Sequence, residues 1–313
     1  MAWYYILLIV LASLLLLVLL IFYVAIPLYL VQYMSYPKRW NRDETHKNDL
    51  DDGLLYGEEQ LERKPLELKM SDGYLLHGDI SLQGDKKKFV ILCHGYSANR
   101  ECELKYALMF YSLGYSIVLY DHRSHGDNVR KDVTMGYKEA KDLHEVICWL
   151  KREYGEDIFL GLQGESMGAA TVLQVVQYHD KIDFICEDCG YGDVSKLFNY
   201  LIRHMMHLSP FFIPMCDFYM KLLHGYHMKE ASPLTYIKGS KIPLLVIHGE
   251  CDTFIPKEHA EDIYKAFEGY KEIHFIPNAE HAASLKTDRV EYRKILTDFV
   301  KKVEQDAQSD TDI

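Results

Sequence analysis

The chain opens on a long apolar block, turns sharply polar, and then settles into short apolar runs separated by longer amphipathic ones. From Ala2 to Val31 no side chain is charged, and the first charged residue is Lys38. A helix needs about 20 apolar residues to cross the hydrocarbon core of a bilayer, so residues 1–36 are expected to form a transmembrane anchor. Trp3, Tyr4 and Tyr5 at one end and Tyr29, Tyr33 and Tyr36 at the other suit the two membrane interfaces. A cleaved signal peptide would carry a basic start and a small-x-small cleavage site, and this segment shows neither. Pro37–Asp52, rich in Lys, Arg, Asp, Glu and Asn, reads as a linker, with residues 37–64 as the lead-in to a domain over 65–303. The acidic end from Asp306, within a tail over 304–313, is expected to fray.

Within 65–303 the pattern predicts strands alternating with helices. Leu66–Met70 and Tyr74–Leu82 flank Ser71-Asp72-Gly73, a hairpin signal. Phe89–Cys93, Ser116–Tyr120, Ile158–Leu162, Phe184–Cys186, Leu244–Ile247 and Glu272–Ile276 are short runs of the kind that strands buried on both faces show. Helical spacing covers Cys102–Leu113 and Lys138–Tyr154, where Leu143, Val146, Ile147 and Leu150 form one stripe. Alternation at these lengths predicts an α/β fold, a mainly parallel sheet with helices on both faces. Between about 191 and 241 the rhythm breaks into a segment rich in Met, Phe, Tyr and His, read as a helical lid whose apolar run Phe211–Met220 is expected to be mostly packing, with a few of its residues lining an acyl pocket.

Composition narrows the partners. A formal net charge of −11 argues against nucleic acid, whose phosphates require a basic face. Seven cysteines, an odd number, do not suggest a disulfide framework, and unpaired thiols suit a reducing compartment. Cys186 and Cys189 form a CxxC at a strand end, but no second pair completes a zinc site. The lid pairs His204/His207 and His224/His227 lack a nearby carboxylate constellation, so no metal is expected.

The chemistry centres on Gly164-Glu165-Ser166-Met167-Gly168, a G-x-S-x-G between a strand and a helix. That context projects a serine above a sheet on a sharp turn, and the flanking glycines relieve the crowding there. A serine hydroxyl attacks only when a base takes its proton. Asp252, in the loop after Leu244–Ile247, and His281, in the loop after Glu272–Ile276, follow in the order such a fold requires. Asp252 would hold the imidazole in its working tautomer, with Glu250 as the competing acid and Glu280 pointing elsewhere. The backbone N–H groups of Tyr96, after the Phe89–Cys93 strand, and of Met167 are assigned to an oxyanion hole. His94 is read as packing beneath that loop.

Taken together, His94-Gly95-Tyr96, Asp121-His122-Arg123-Ser124-His125-Gly126, GESMG, HGECD and Glu280-His281 resemble the α/β-hydrolase superfamily, and within it the serine-aminopeptidase and monoacylglycerol-lipase-like branch with a helical lid. The likeness spans about Leu66 to Val303. Ser124 stands where the family pattern D-x-R-G-H-G often has glycine, which puts the conformation of that loop in question; Asp121 and His125 are expected to fix it. The resemblance implies a serine hydrolase that needs no cofactor and cleaves a small-molecule or lipid-like ester with an apolar acyl group. Peptidase or thioesterase chemistry uses the same triad, and a non-catalytic scaffold of the same fold is the alternative from another class. Lys38, Arg39 and Arg42 just beyond the apolar block place the domain on the cytoplasmic side by charge bias.

Overall fold

The computed structural model describes residues 2–311. Eight strands form one sheet: β1 Lys64–Lys69, β2 Leu75–Ser81, β3 Lys88–Cys93, β4 Ser116–Tyr120, β5 Phe159–Glu165, β6 Phe184–Asp188, β7 Leu244–Gly249 and β8 Lys271–Ile276. Their order across the sheet is β1-β2-β4-β3-β5-β6-β7-β8. The hairpin β1–β2 is antiparallel and joins β4 antiparallel, whereas every pair from β4 to β8 is parallel. Parallel strands need crossovers, and the helices that supply them cover both faces.

The helices are α1 Ala2–Leu20, α2 Ile26–Ser35, α3 Arg42–Asp51, α4 Leu104–Ser112, α5 Tyr137–Tyr154, α6 Met167–Gln174, α7 Val194–His204, α8 Ile213–His224, α9 Glu258–Ala266, α10 Ser284–Thr287 and α11 Arg289–Thr311. Leu143, Val146, Ile147 and Leu150 of α5 pack with Phe89, Ile91 and Leu162 on one face of the sheet. Tyr106 and Phe110 of α4 and Leu296, Phe299 and Val300 of α11 pack with Val90, Leu92 and Phe184 on the other. The central strand residues are fully buried on both sides, as their unbroken apolar runs require.

Two expectations need correction. The polar stretch after Pro37 is not a free linker: residues 42–51 form α3, capped by Asn41, whose side chain accepts from Glu44 N at 3.0 Å. Arg42 of α3 pairs with Glu101 and Asp127, and Trp40 N donates to Ser97 O at 2.9 Å. Its charges meet partners on the domain, so polarity there signals docking. The acidic tail is helical as far as Thr311, with Lys302 pairing Asp306 at 2.5 Å, and its last two residues lie outside the described ones. The apolar block also does not stop at a domain boundary. A π-helical turn over Ile21–Ala25 joins α1 to α2, and Pro27, Leu30, Val31 and Ser35 of α2 are buried against α8 and the lid core.

Candidate active site

The carboxyl ends of β3, β5, β7 and β8 meet at one edge of the sheet, and their loops bring the candidate residues together. Ser166 follows β5 directly with φ 57° and ψ −113°. A non-glycine residue held there carries strain of order 1–3 kcal/mol, and its surroundings enforce it: Ser166 N donates to Asp188 O of β6 at 2.8 Å. Gly164 and Gly168 make the turn possible. A Cβ on Gly168 would stand 1.8 Å from Cys93 O, and one on Gly164 would stand 2.4 Å from the Gly168 carbonyl. The helix therefore starts pressed against β3, and the hydroxyl is raised above the sheet edge.

Ser166 Oγ lies 2.9 Å from His281 Nε2, and His281 Nδ1 lies 2.7 Å from Asp252 Oδ2. The other carboxylate oxygen, Asp252 Oδ1, accepts from Phe254 N and Ile255 N, each at 2.8 Å. Buried His248 stands 3.4 Å from Asp252 Oδ2 and 2.8 Å from Ile255 O. Burial by itself would raise the Asp252 pKa, but the bonds with His248 and His281, with the amide of Ile255, outweigh it and hold the carboxyl well below its usual range. A carboxylate kept ionised in this way orients the imidazole with its proton on Nδ1, leaving Nε2 free to accept from the serine. Glu250 is exposed, its amide donating across to Ile276 O of β8 at 3.0 Å, and exposed Glu280 also stays outside this chain of bonds.

Tyr96 sits on the loop after β3 and Met167 opens α6, on either side of Ser166. As the first residue of a helix, Met167 has an N–H with no intrahelical acceptor, and neither its amide nor that of Tyr96 donates to another described residue. The loop is shaped from below by buried histidines. His94 Nε2 accepts from His122 N at 2.9 Å while Nδ1 donates to Gly95 O at 2.8 Å. Burial lowers the His94 pKa to about 4, so the ring is neutral, as this pattern of one acceptor and one donor demands. His125 Nε2 accepts from Ser97 N at 3.2 Å, and Asp121 accepts from Arg100 N at 2.8 Å and from its guanidinium. Ser124 adopts φ 70°, the conformation of the glycine it replaces. Its hydroxyl donates to Lys131 O at 2.5 Å and its amide to Tyr74 Oη at 2.9 Å. Local bonds thus hold the serine in a glycine-like turn.

A pocket of about 290 Å³ opens beside Ser166. It is walled by Leu197, Phe198, Leu201 and Ile202 of α7, by Tyr191, Phe254 and Ile255, and by Leu30, Tyr33 and Met34 of α2. This corrects a further expectation: the apolar run Phe211–Met220 does not line the pocket. Its buried members Phe212, Cys216 and Met220 pack with Leu30 and Val31 in one cluster. Lining by α2 was missed because uninterrupted hydrophobicity hides which residues are buried against protein and which stay exposed. Excess length was the available signal, since the helix over Trp3–Ser35 has 33 residues where about 20 span a bilayer. Tyr96 ties this helix to the site, its hydroxyl donating to Met34 O at 2.9 Å.

Among the described residues, two groups of donors are close enough to share an ion: Cys189 with Asp252 and His281, and His144 with Cys148 and Asp180. In the first, Asp252 and His281 already bond each other and Ser166, and burial raises the Cys189 thiol far above its usual pKa. Of the lid histidines, His224 and His227 go to separate carboxylates, Asp132 at 3.1 Å and Asp217 at 2.9 Å. All seven cysteines are unpaired.

Residues 84–186 match the family described as serine aminopeptidase, S33, and residues 221–310 that of PhoPQ-activated pathogenicity-related protein. The uncharacterized protein YqkD of Bacillus subtilis (strain 168) is 32% identical over 282 residues, covering 88% of this chain and 92% of its own. The lysophosphatidylserine lipase ABHD12 of Rattus norvegicus is 24% identical over 241 residues, covering 70% of this chain and 57% of its own. Among solved structures, the Pyrococcus furiosus esterase Pf2001 superposes with a TM-score of 0.64 at 23% identity, over 86% of this chain and 98% of its own.

Proposed function

The chain belongs to the α/β-hydrolase superfamily, and from that premise we propose that it is a serine hydrolase cleaving a carboxylic ester with an apolar acyl group. One observation carries the reading: Ser166 Oγ, strained onto its turn, is 2.9 Å from His281 Nε2, which is itself bonded through Nδ1 to Asp252. His281 Nε2 takes the proton as Oγ attacks the ester carbonyl. The amides of Tyr96 and Met167 face the oxyanion that forms, a contribution worth about 10²–10³ in rate for a typical donor. The imidazolium then returns its proton to the departing alcohol, leaving an acyl-Ser166 that water clears by the same route in reverse. Asp252 stays ionised throughout and stabilises the charged ring.

Pocket chemistry favours an ester over an amino-terminal peptide. Among the described residues that line it, none is charged, whereas recognition of a free α-amine calls for a carboxylate. Thioesters remain chemically open to the same triad. Similarity to proteins named esterase and lysophosphatidylserine lipase supports the ester reading without specifying the leaving group. The test is labelling by a fluorophosphonate probe together with turnover of acyl esters, thioesters and aminoacyl amides. Wild-type protein should label and hydrolyse esters, and Ser166→Ala should do neither while keeping its circular dichroism. Folded Ser166→Ala retaining activity within tenfold would remove the assignment.

A further inference from the structure

The helical run Trp3–Ser35 has 33 residues and so covers roughly 50 Å at 1.5 Å per residue, some 20 Å more than the hydrocarbon core of a bilayer. Its interfacial aromatics set the register. Ile6–Leu28 fits the hydrocarbon, at roughly 34 Å, and leaves Tyr29 and Tyr33 among the lipid headgroups, where tyrosine is enriched. Helix α8 runs beside this stretch in the same direction. Phe212 stacks on Phe22 at 6.0 Å and Phe211 meets Tyr23 edge-on at 5.6 Å, while at the other end His224 meets Tyr36 at 6.1 Å. Tyr219 Oη donates to Tyr23 O at 3.2 Å. Phe211 and Phe212 therefore stand about 8 Å below the level of Leu28, counted as five residues of helix.

The outer face of α8 is open and largely apolar, with Phe218 59% and Leu222 63% exposed, while Lys221 near its C-terminal end reaches Glu230 at 3.1 Å and Gly225 O at 3.1 Å. Its acid Asp217 is partly exposed and already bonded, accepting from Met228 N at 2.7 Å and standing 2.9 Å from His227 Nδ1. Of the residues lining the catalytic pocket, Tyr33 and Met205 are the most exposed, at 58% and 56%. The mouth thus lies between α2 and the turn after α7, level with the headgroups.

We propose that this enzyme takes its acyl ester directly from the bilayer, with α2 serving both as the end of the membrane helix and as a wall of the acyl pocket, and with the outer face of α8 seated in the lipid interface. The inference rests on the serine hydrolase reading and on the apolar helix lying in a membrane. Continuity argues for lipid as the occupant of the α8 face, because it adjoins a helix whose own exposed side chains are uncharged and almost all apolar from Trp3 to Phe22. An ester dissolved in the membrane would reach Ser166 with its acyl chain passing from lipid to pocket, never crossing water, so the cost of exposing its methylenes to water does not arise.

The experiment uses the full chain in phosphatidylcholine vesicles. A water-soluble butyryl ester is supplied in the aqueous phase, and a hexadecanoyl ester of the same fluorogenic alcohol is dissolved in the vesicles. Phe218→Asp/Leu222→Asp should lower kcat/KM for the hexadecanoyl ester at least tenfold and leave the butyryl ester within twofold. Fluorophosphonate labelling reports that the site is folded. As a second measurement that does not depend on the double variant, bimane attached to Phe218→Cys, with Cys148 and Cys251 replaced by serine, should be quenched by lipid-borne nitroxide. Absence of quenching, or equal effects on both esters, overturns the proposal. Conversion of a dimer to a monomer with hexadecanoyl turnover unchanged would make the α8 face a self-association surface and overturn it as well. Failure of wild type to cleave even the butyryl ester would instead strike at the hydrolase reading, with the quenching result still deciding where α8 lies.

Discussion

Replacing Gly168 with alanine sets two effects of opposite sign against each other. Inside a helix, alanine is favoured over glycine by about 1 kcal/mol, so the change would stabilise α6 in isolation. In the folded chain the added Cβ would lie 1.8 Å from Cys93 O, 2.4 Å from Cys93 C and 2.8 Å from His94 O. Carbon contacts prefer about 3.5–4.0 Å, so α6 has to retreat from β3 by more than an ångström. The obstacles are backbone atoms of a central strand, and no rotamer can give way. Overpacking of a tight core costs about 1–3 kcal/mol, sometimes more, and here the upper end applies, leaving a net loss of about 2 kcal/mol after the helical gain. At about 2–4 °C per kcal/mol for a domain of this size, Tm should fall by about 4–8 °C. Activity should suffer more, because Ser166 and Met167 ride on the same helix start and His94 on the loop it pushes. A displacement near 1 Å costs about 10² in rate. Thermal unfolding by circular dichroism and kcat/KM on a butyryl ester, both in detergent, measure the two effects. A Gly168→Ala protein as stable and as fast as wild type would mean that α6 does not start against β3, and the account of the serine turn would fall with it.

Asp252→Asn should lose about 10⁴ in kcat, as the amide orients the imidazole in the wrong tautomer, while Glu250→Gln stays within about threefold; the reverse ranking, read from ester kinetics, would reassign the acid. Specificity constants should climb about fourfold per methylene from acetyl to hexanoyl esters, following about 0.8 kcal/mol of burial each, and a flat series would argue against an apolar acyl pocket on α7 and α2. Burial, with the neighbouring Asp188, pushes the Glu187 carboxyl up to about 7 against the opposing pull of His248 and the Gly190 amide. A raised folded pKa means stability present at low pH is lost as pH climbs through 7, so the Tm advantage of Glu187→Gln over wild type should grow from pH 5 to pH 8; a constant difference would remove the claim. The charge bias of Lys38, Arg39 and Arg42 predicts a cytoplasmic domain: an impermeant maleimide should reach Ser309→Cys, in a chain without its native cysteines, only after cells are broken.

Strand positions were readable without coordinates because parallel strands buried on both faces have to be short and continuously apolar. Phe89–Cys93, Ser116–Tyr120 and Leu244–Ile247 each lie within a strand of the sheet. The serine turn was readable for a similarly local reason. Two glycines around Ser166 answer to a backbone approach that no other residue tolerates, and the helix must begin at once. By contrast, polarity in residues 42–51 suggested a linker, since a pattern of charges does not reveal whether the opposite charges are met in solvent or, as for Arg42, at Glu101 and Asp127 far along the chain.

What the amino-acid order determines here by itself is therefore periodic and local: the apolar helix, the α/β alternation, and the candidate nucleophile, acid and base in their required succession. Tertiary structure alone decides the distances, bringing Ser166, His281 and Asp252 within 2.9 and 2.7 Å from positions up to 115 residues apart. It also decides the use made of hydrophobic residues that look alike in sequence. Apolar side chains gain the same transfer free energy from any dry neighbour, so nothing local distinguishes Leu30, which walls the pocket, from Leu20, which is exposed, or Phe198 on the pocket wall from Phe218 on the open face. Only the packing of α2 against α8 and α7 assigns those parts, because burial is a property of the partner surface and not of the residue.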